Sequence, residues 1–259
     1  RHRRTLLDAA HRLIEQQGGI SLRLDELTLE MVGAKAGVSR ATVYRTWPNR
    51  DEFETDLLCD LAGPNGAGAG AFDQETINIA TRMVAENLDD LATPESRRNL
   101  MREVVREAAA QSFRAATTSV DWRGYVALSA TVMTMSSGTR RDRVTQALQA
   151  AEAMFLDKMA TFYEDMGLIL GLRIREGVGT YRHVAAAGAA VVEGLSIRHL
   201  LNPDLVDHPL IVEGTRGPEE WSLAAYSFFG VIEQFTEPDP TYDARSALAA
   251  YLLRKSGIS

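Results

Sequence analysis

The chain holds one cysteine, Cys59, in 259 residues. No internal disulfide can form, and a lone thiol with no second one nearby reads as a small core residue. No apolar run approaches the roughly 18 residues that cross a bilayer, and no charged-then-apolar leader is present. The expectation is a soluble, cytoplasmic protein with no membrane partner. The five histidines, His2, His11, His183, His199 and His208, show neither Cys/His pairing nor a His-Glu helix motif, so nothing suggests zinc. A nucleophile elbow and a dinucleotide fingerprint are missing too, and Gly66 to Gly70 lacks the lysine and flanking strand of a phosphate loop. Asp89-Asp90 and Glu219-Glu220 are adjacent pairs whose members point to different helix faces, hence solvated charge. No catalytic residue, metal or cofactor is expected, and the chain is not read as an enzyme.

What is present is helix. Apolar residues make up 45% of the sequence, enough for a large core in one or two domains. Their spacing is three and four rather than two, with no repeat and no alternating strand series, so the predicted class is all-α. The net charge of −7 is unevenly placed: residues 1–50 hold nine Lys/Arg against five Asp/Glu, or +4, which leaves −11 for the rest. A basic head and an acidic body suit a protein whose one end meets phosphates. Arg1, Arg3 and Arg4 at the start are open to two readings, a minor-groove or phosphate arm and a solvated terminus.

The informative stretch is Thr28 to Arg50. Leu29, Val32 and Ala36 share a face, Thr28 can cap, and Gly37 is a left-handed stop; this gives a helix over 29–36. Ser39 can cap a second helix over 40–46, and the pair makes a helix-turn-helix. Val43 faces inward with Val38. That leaves Ser39, Arg40, Thr42, Tyr44 and Arg45 outside, two cations and three hydroxyls with no acid among them. Arginine grips a guanine edge, and hydroxyls and tyrosine reach phosphate oxygens, so double-stranded DNA is the partner this face suits. A preceding helix over about 5–17, with Leu6, Ala10, Leu13 and Ile14 on one stripe, ends at Gly18-Gly19. A following one, capped by Asn49, buries Phe53, Leu57, Leu58 and Leu61.

Thr28-Leu29-Glu30-Met31-Val32, Ala36-Gly37-Val38-Ser39-Arg40, Thr42-Val43-Tyr44 and Trp47-Pro48-Asn49-Arg50-Asp51-Glu52-Phe53 together resemble the DNA-binding domain of the tetracycline-repressor (TetR) family of bacterial regulators. The resemblance covers roughly the first sixty residues; beyond them it is one of architecture. It implies an N-terminal reader over 1–61 and an all-helical ligand-binding and dimerisation domain over 62–259. It implies too that Thr28 and Tyr44 hold phosphate, that Arg40, Thr42 and Arg45 face bases, and that Arg50 lies near the backbone. The sequence departs from the pattern at Gly33, where alanine is usual, at Trp47, where phenylalanine is commoner, and in a long link carrying Leu22, Leu24 and Leu27. Gly33 costs about 1 kcal/mol of helix propensity unless a close contact needs it.

The glycine-rich segment 63–70 has the composition of a flexible connector, either a plain solvated loop or a flap over a pocket. After it, helices are predicted at about 74–92, 95–113, 119–136 and 140–166, an irregular connection at 168–179, and helices at 180–201, 218–236 and 241–255. The large adaptable side chains of 119–136 and 140–166, namely Trp122, Tyr125, Met133, Phe155, Met159, Phe162 and Tyr163, are the candidates for a small apolar effector; the same spacing also describes an ordinary core stripe. Arg140, Arg141 and Arg143 read as a wet helix start or a hold for an acidic effector. The smooth Ala185–Ala190 surface and the apolar face of 218–236 are predicted to build a homodimer's four-helix bundle, against the alternative that both lie inside one subunit. The reading is a ligand-responsive repressor; its rivals are a helical small-molecule enzyme and a constitutive DNA-binding protein without effector.

Overall fold

A computed structural model describes residues 2–16, 26–63, 73–214 and 217–256. The predicted stop at Gly18-Gly19, the link leucines Leu22 and Leu24, the glycines from Gly66 to Gly70 and the terminal Gly257 lie outside the described residues. Those that are described are mostly helical, as the all-α class requires. The chain opens with α1 (His2–Gln16), α2 (Leu29–Ala36), α3 (Arg40–Thr46) and α4 (Arg50–Ala62). Short polar side chains set three of the starts. Thr28 accepts from the Met31 N–H at 3.2 Å, Ser39 from the Thr42 N–H at 3.4 Å and Asn49 from the Glu52 N–H at 2.9 Å, each satisfying a donor the helix leaves open. Gly37 closes α2 at φ +66°, where a side chain would be strained.

The order continues with α5 (Gln74–Glu86), a 3-10 turn at Leu88–Leu91, α6 (Pro94–Thr118), α7 (Val120–Thr134), α8 (Thr139–Leu170) and β1 (Leu172–Ile174). It ends with α9 (Tyr181–Leu201), α10 (Pro203–Asp207), β2 (Leu210–Gly214), β3 (Gly217–Trp221), α11 (Leu223–Phe235), β4 (Thr236–Pro238) and α12 (Ala244–Ser256). Four predicted elements need correction. Helix 95–113 runs on to Thr118. Helix 74–92 stops at Glu86, where Asn87 turns its side chain back to the Met83 carbonyl. The irregular 168–179 is helix as far as Leu170 and then strand β1, paired antiparallel with β4. Most consequentially, 218–236 is not one helix. Pro218 with Glu219-Glu220 behind it has the composition of a helix start, yet Gly217–Trp221 pairs antiparallel with β2, Leu210 opposite Trp221. Arg102 of α6 decides this: its guanidinium bonds the Glu219 carboxylate and the Glu213 carbonyl, both at 3.0 Å, and lies 5.1 Å over the buried Trp221 ring.

Two compact units result, one of Arg1–Gly70 with Ser119–Phe155, the other of Ala71–Thr118 with Leu156–Ser259. In the first, Leu6 and Ala10 of α1, Val32 of α2, Val43 of α3 and Leu57 of α4 share a core with Leu128 of α7 and Val144 of α8. Trp47, 1% exposed, packs edge-on against Phe53 at 5.0 Å, keeping the packing role expected of an aromatic there. Cys59 packs at the rim of this core, and burial pushes its thiol pKa up. In the second unit α6 packs on α5, α9 and α11, and Phe113, Val206 and Ala224 form a small cluster. One correction concerns α9. The sequence showed no run of spanning length, but Tyr181–Leu201 meets the length and average apolarity of a span because its alanines, with Val184, Val191, Val192, Leu195 and Ile197, raise the average across interspersed polar residues. Within the second unit it packs on α6, α10 and α11, and Arg182 pairs with Asp157 of α8 at 3.3 Å.

Candidate nucleic-acid interface

The exposed face of α3 rests on the tightness of α2 against α3. A Cβ on Gly33 would stand 2.8 Å from a methyl of the fully buried Val43, so the missing side chain is what lets α3 come close. With Val43 inward, Ser39, Arg40, Tyr44 and Arg45 are exposed and Thr42 is half-buried. The hydroxyls double as local fasteners: Thr28 and Ser39 cap α2 and α3, Ser39 and Thr42 share a hydrogen bond at 3.1 Å, and Arg45 reaches the Thr42 hydroxyl at 3.4 Å. Arg50 lies one turn from Glu54 and donates to it at 2.6 Å. The structure thus brings together Ser39, Arg40, Thr42, Tyr44 and Arg45 on one helix and places Thr28 and Arg50 at the starts of its two neighbours.

Two carboxylates that the sequence did not single out belong to this region. Glu30, in the first turn of α2, accepts the Tyr44 hydroxyl at 2.6 Å, and one of its oxygens lies 3.5 Å from the Arg40 guanidinium. Arg40 in turn sits 5.4 Å over the Tyr44 ring. The Tyr44 hydrogen bond, foremost, holds the Glu30 carboxyl below its ordinary pKa. Asp56, 6% exposed, accepts the Trp47 indole N–H at 2.6 Å, Arg143 of α8 at 2.8 Å and also Arg3 of α1. Burial alone raises the Asp56 pKa, but the three donors outweigh it and the carboxyl ends below its usual value. Since Trp47 follows α3 directly, Asp56 fastens the end of α3 to α1, α4 and α8. Arg140 adds a second clasp, to Glu54 at 2.7 Å and Asp51 at 3.5 Å. The basic run that opens α8 is therefore a grip on α4.

Residues 6–53 match the family model described as bacterial regulatory proteins, tetR family. These residues are a TetR-family domain. The match runs from α1 into α4 and contains the α2–α3 pair with all of its exposed hydroxyls and arginines. No curated protein matches the chain. Among solved structures, SmeT, the repressor of the Stenotrophomonas maltophilia multidrug efflux pump SmeDEF, aligns at 18% identity over 93% of each chain with a TM-score of 0.39. A SmeT–triclosan complex aligns at 17% over 93% of this chain and 99% of that one, TM-score 0.40. NalD, the secondary repressor of the MexAB-OprM multidrug efflux pump in Pseudomonas aeruginosa, aligns at 19% over 79% and 86%, TM-score 0.35. The family likeness is that of residues 6–53.

The seven effector candidates fall into two groups. Trp122, Tyr125, Met133 and Phe155 belong to the first unit, where Trp122 is buried, Tyr125 donates to Glu152 at 2.9 Å, Phe155 is half-buried and Met133 is 80% exposed. Met159, Phe162 and Tyr163 belong to the second, where Met159 and Phe162 are buried and Tyr163 stacks between Phe162 and Phe228 at 5.8 and 5.4 Å. Burial raises the Tyr163 pKa. The Trp122 indole N–H is buried without a hydrogen-bond partner among the described residues. Three cavities of the second unit, about 580, 640 and 430 Å³, are lined by other side chains, the first by Tyr181, Tyr242 and Arg254, for example.

Proposed function

We propose that this TetR-family regulator is a cytoplasmic homodimeric repressor that reads a palindromic operator through α3 and leaves it when a small apolar effector binds. The observation that carries the reading is the outer face of α3: Ser39, Arg40, Thr42, Tyr44 and Arg45 stand together over a buried Val43, with no carboxylate of their own helix among them. Thr28 and Tyr44 hold phosphates on either side, Arg40, Thr42 and Arg45 meet base edges, and Arg50 exchanges Glu54 for the backbone. The functional division stays at 1–61 for the reader and 62–259 for the effector and dimer domain. In a two-fold dimer the readers fit successive major grooves only when about 34 Å apart, so an effector preferring another spacing draws dimers off DNA. Reversing occupancy from 99:1 to 1:99 takes roughly 5.5 kcal/mol of differential affinity.

The effector candidates remain Trp122, Tyr125, Met133, Phe155, Met159, Phe162 and Tyr163. Trp122 supports the assignment best: an unpaired buried N–H costs about 1–3 kcal/mol, which an acceptor on a ligand recovers. Titration of the full chain against a random-sequence duplex at two salt concentrations tests the reader. Affinity should fall steeply with salt, Tyr44→Phe should weaken all sequences alike, and Arg45→Ala should cost about 1–3 kcal/mol at one base position. Folded protein with no affinity for duplex at low salt overturns the reading.

A further inference from the structure

From Leu27 to Arg50 there is a single acidic residue, Glu30, against Lys35, Arg40, Arg45 and Arg50. It sits in the first turn of α2, where a carboxylate suits the helix dipole. Its side chain is 50% exposed, and the side-chain cap of α2 comes from Thr28. What it does touch are the two α3 side chains assigned to phosphate and base, Tyr44 through the hydroxyl at 2.6 Å and Arg40 at 3.5 Å. The three close a triangle, because Arg40 and Tyr44 lie one helical turn apart and the guanidinium stacks on the ring at 5.4 Å.

A tyrosine hydroxyl has one proton to donate. While it is given to Glu30 it is withheld from a phosphate, so a phosphate oxygen arriving at Tyr44 must displace a carboxylate that is then left facing another anion. The same displacement frees Arg40. On random duplex Arg40 gains only the diffuse attraction of phosphates in exchange; on a matching base it gains a bidentate contact. The carboxylate therefore penalises every encounter, and only the matching sequence repays it through Arg40.

Building on the reading of α3 as the DNA reader, we propose that Glu30 is a specificity-determining residue of this protein: its carboxylate occupies Tyr44 and Arg40 in place of a phosphate, and so suppresses binding to non-cognate duplex. The test is Glu30→Gln in the full chain, titrated against a selected palindrome and a random duplex of equal length over a series of salt concentrations. Glu15→Gln, exposed on α1, serves as a variant with the same change in net charge. Glu30→Gln should bind random duplex roughly 3- to 10-fold more tightly, with a log–log salt slope steeper by about one, the increment for one further phosphate neutralised. The palindrome should gain less, so the ratio of the two affinities falls, while Glu15→Gln leaves the ratio in place. In a Tyr44→Phe background the gain on random duplex should shrink at least twofold, since no hydroxyl remains whose charge-assisted bond the neutral amide would weaken. An unchanged or weaker affinity for random duplex overturns the proposal, as does an equal gain in the Tyr44→Phe background, which would mark Glu30 as bulk charge. Those failures leave wild-type DNA binding intact. Wild-type protein that binds neither duplex overturns the reader assignment, and the role of Glu30 falls with it.

Discussion

Gly33 and Asp56 show how single side chains govern the reader. Glycine inside α2 costs about 1 kcal/mol of helix propensity relative to alanine, so on propensity alone Gly33→Ala should stabilise the chain. The structure reverses the sign, because the added Cβ meets a stiff, fully buried Val43 at 2.8 Å with the Val38 carbonyl at 3.4 Å behind it. Gly33→Ala is expected to lose about 1–2 kcal/mol in denaturant unfolding, and the loss should vanish in a Val43→Ala background. Asp56 ties stability to pH. Its folded pKa lies below the ordinary 3.8, so the stabilisation is fully present above that value and disappears as pH falls through the folded one. Removing a buried carboxylate with three donors should cost on the order of 2 kcal/mol at neutral pH. The stability gap between wild type and Asp56→Asn should therefore hold from pH 7 to 5 and close below about 4. A gap that widens in acid would contradict the assignment.

Among the helices and strands, what the sequence made legible was local. Thr28, Ser39 and Asn49 mark helix starts because a capping side chain and the N–H it satisfies lie three residues apart, and α2 and α3 fall where the caps put them. The hairpin was not legible, because Pro218-Glu219-Glu220 has the composition of a helix start, while the Arg102 that holds Glu219 lies more than a hundred positions upstream. Glu30 and Asp56 were missed for the same reason. Each is one acid among many along the chain, and only the fold shows Tyr44 or Trp47 beside it. The predicted homodimer also belongs here, and the hairpin alters it: α11 begins at Leu223 rather than 218. Ala186, Ala190, Ile197 and Leu201 form an exposed stripe along α9, and Tyr226 and Gly230 an exposed stripe on α11, which packs beside it. A second copy covering both would complete the four-helix bundle. Ile197→Glu together with Leu201→Glu should convert the dimer to a folded monomer by sedimentation, with unchanged helix content; a monomeric wild type would contradict the prediction.

For the protein as a unit, the proposed function requires that two copies present two α3 faces to one duplex. Charge is arranged for it, since residues 1–50 carry +4 within a total of −7, and Asp56 with its three partners fixes the end of α3 to the rest of the first unit. Effector release, dimer geometry and the discriminating role of Glu30 all depend on that claim. It is tested most directly by selecting bound duplexes from a random pool with the full chain at two salt concentrations. The expected product is a palindrome whose half-sites are centred about one helical turn apart, recovered with a steep dependence on salt. Recovery of no common sequence by folded protein, or of one without two-fold symmetry, would contradict it.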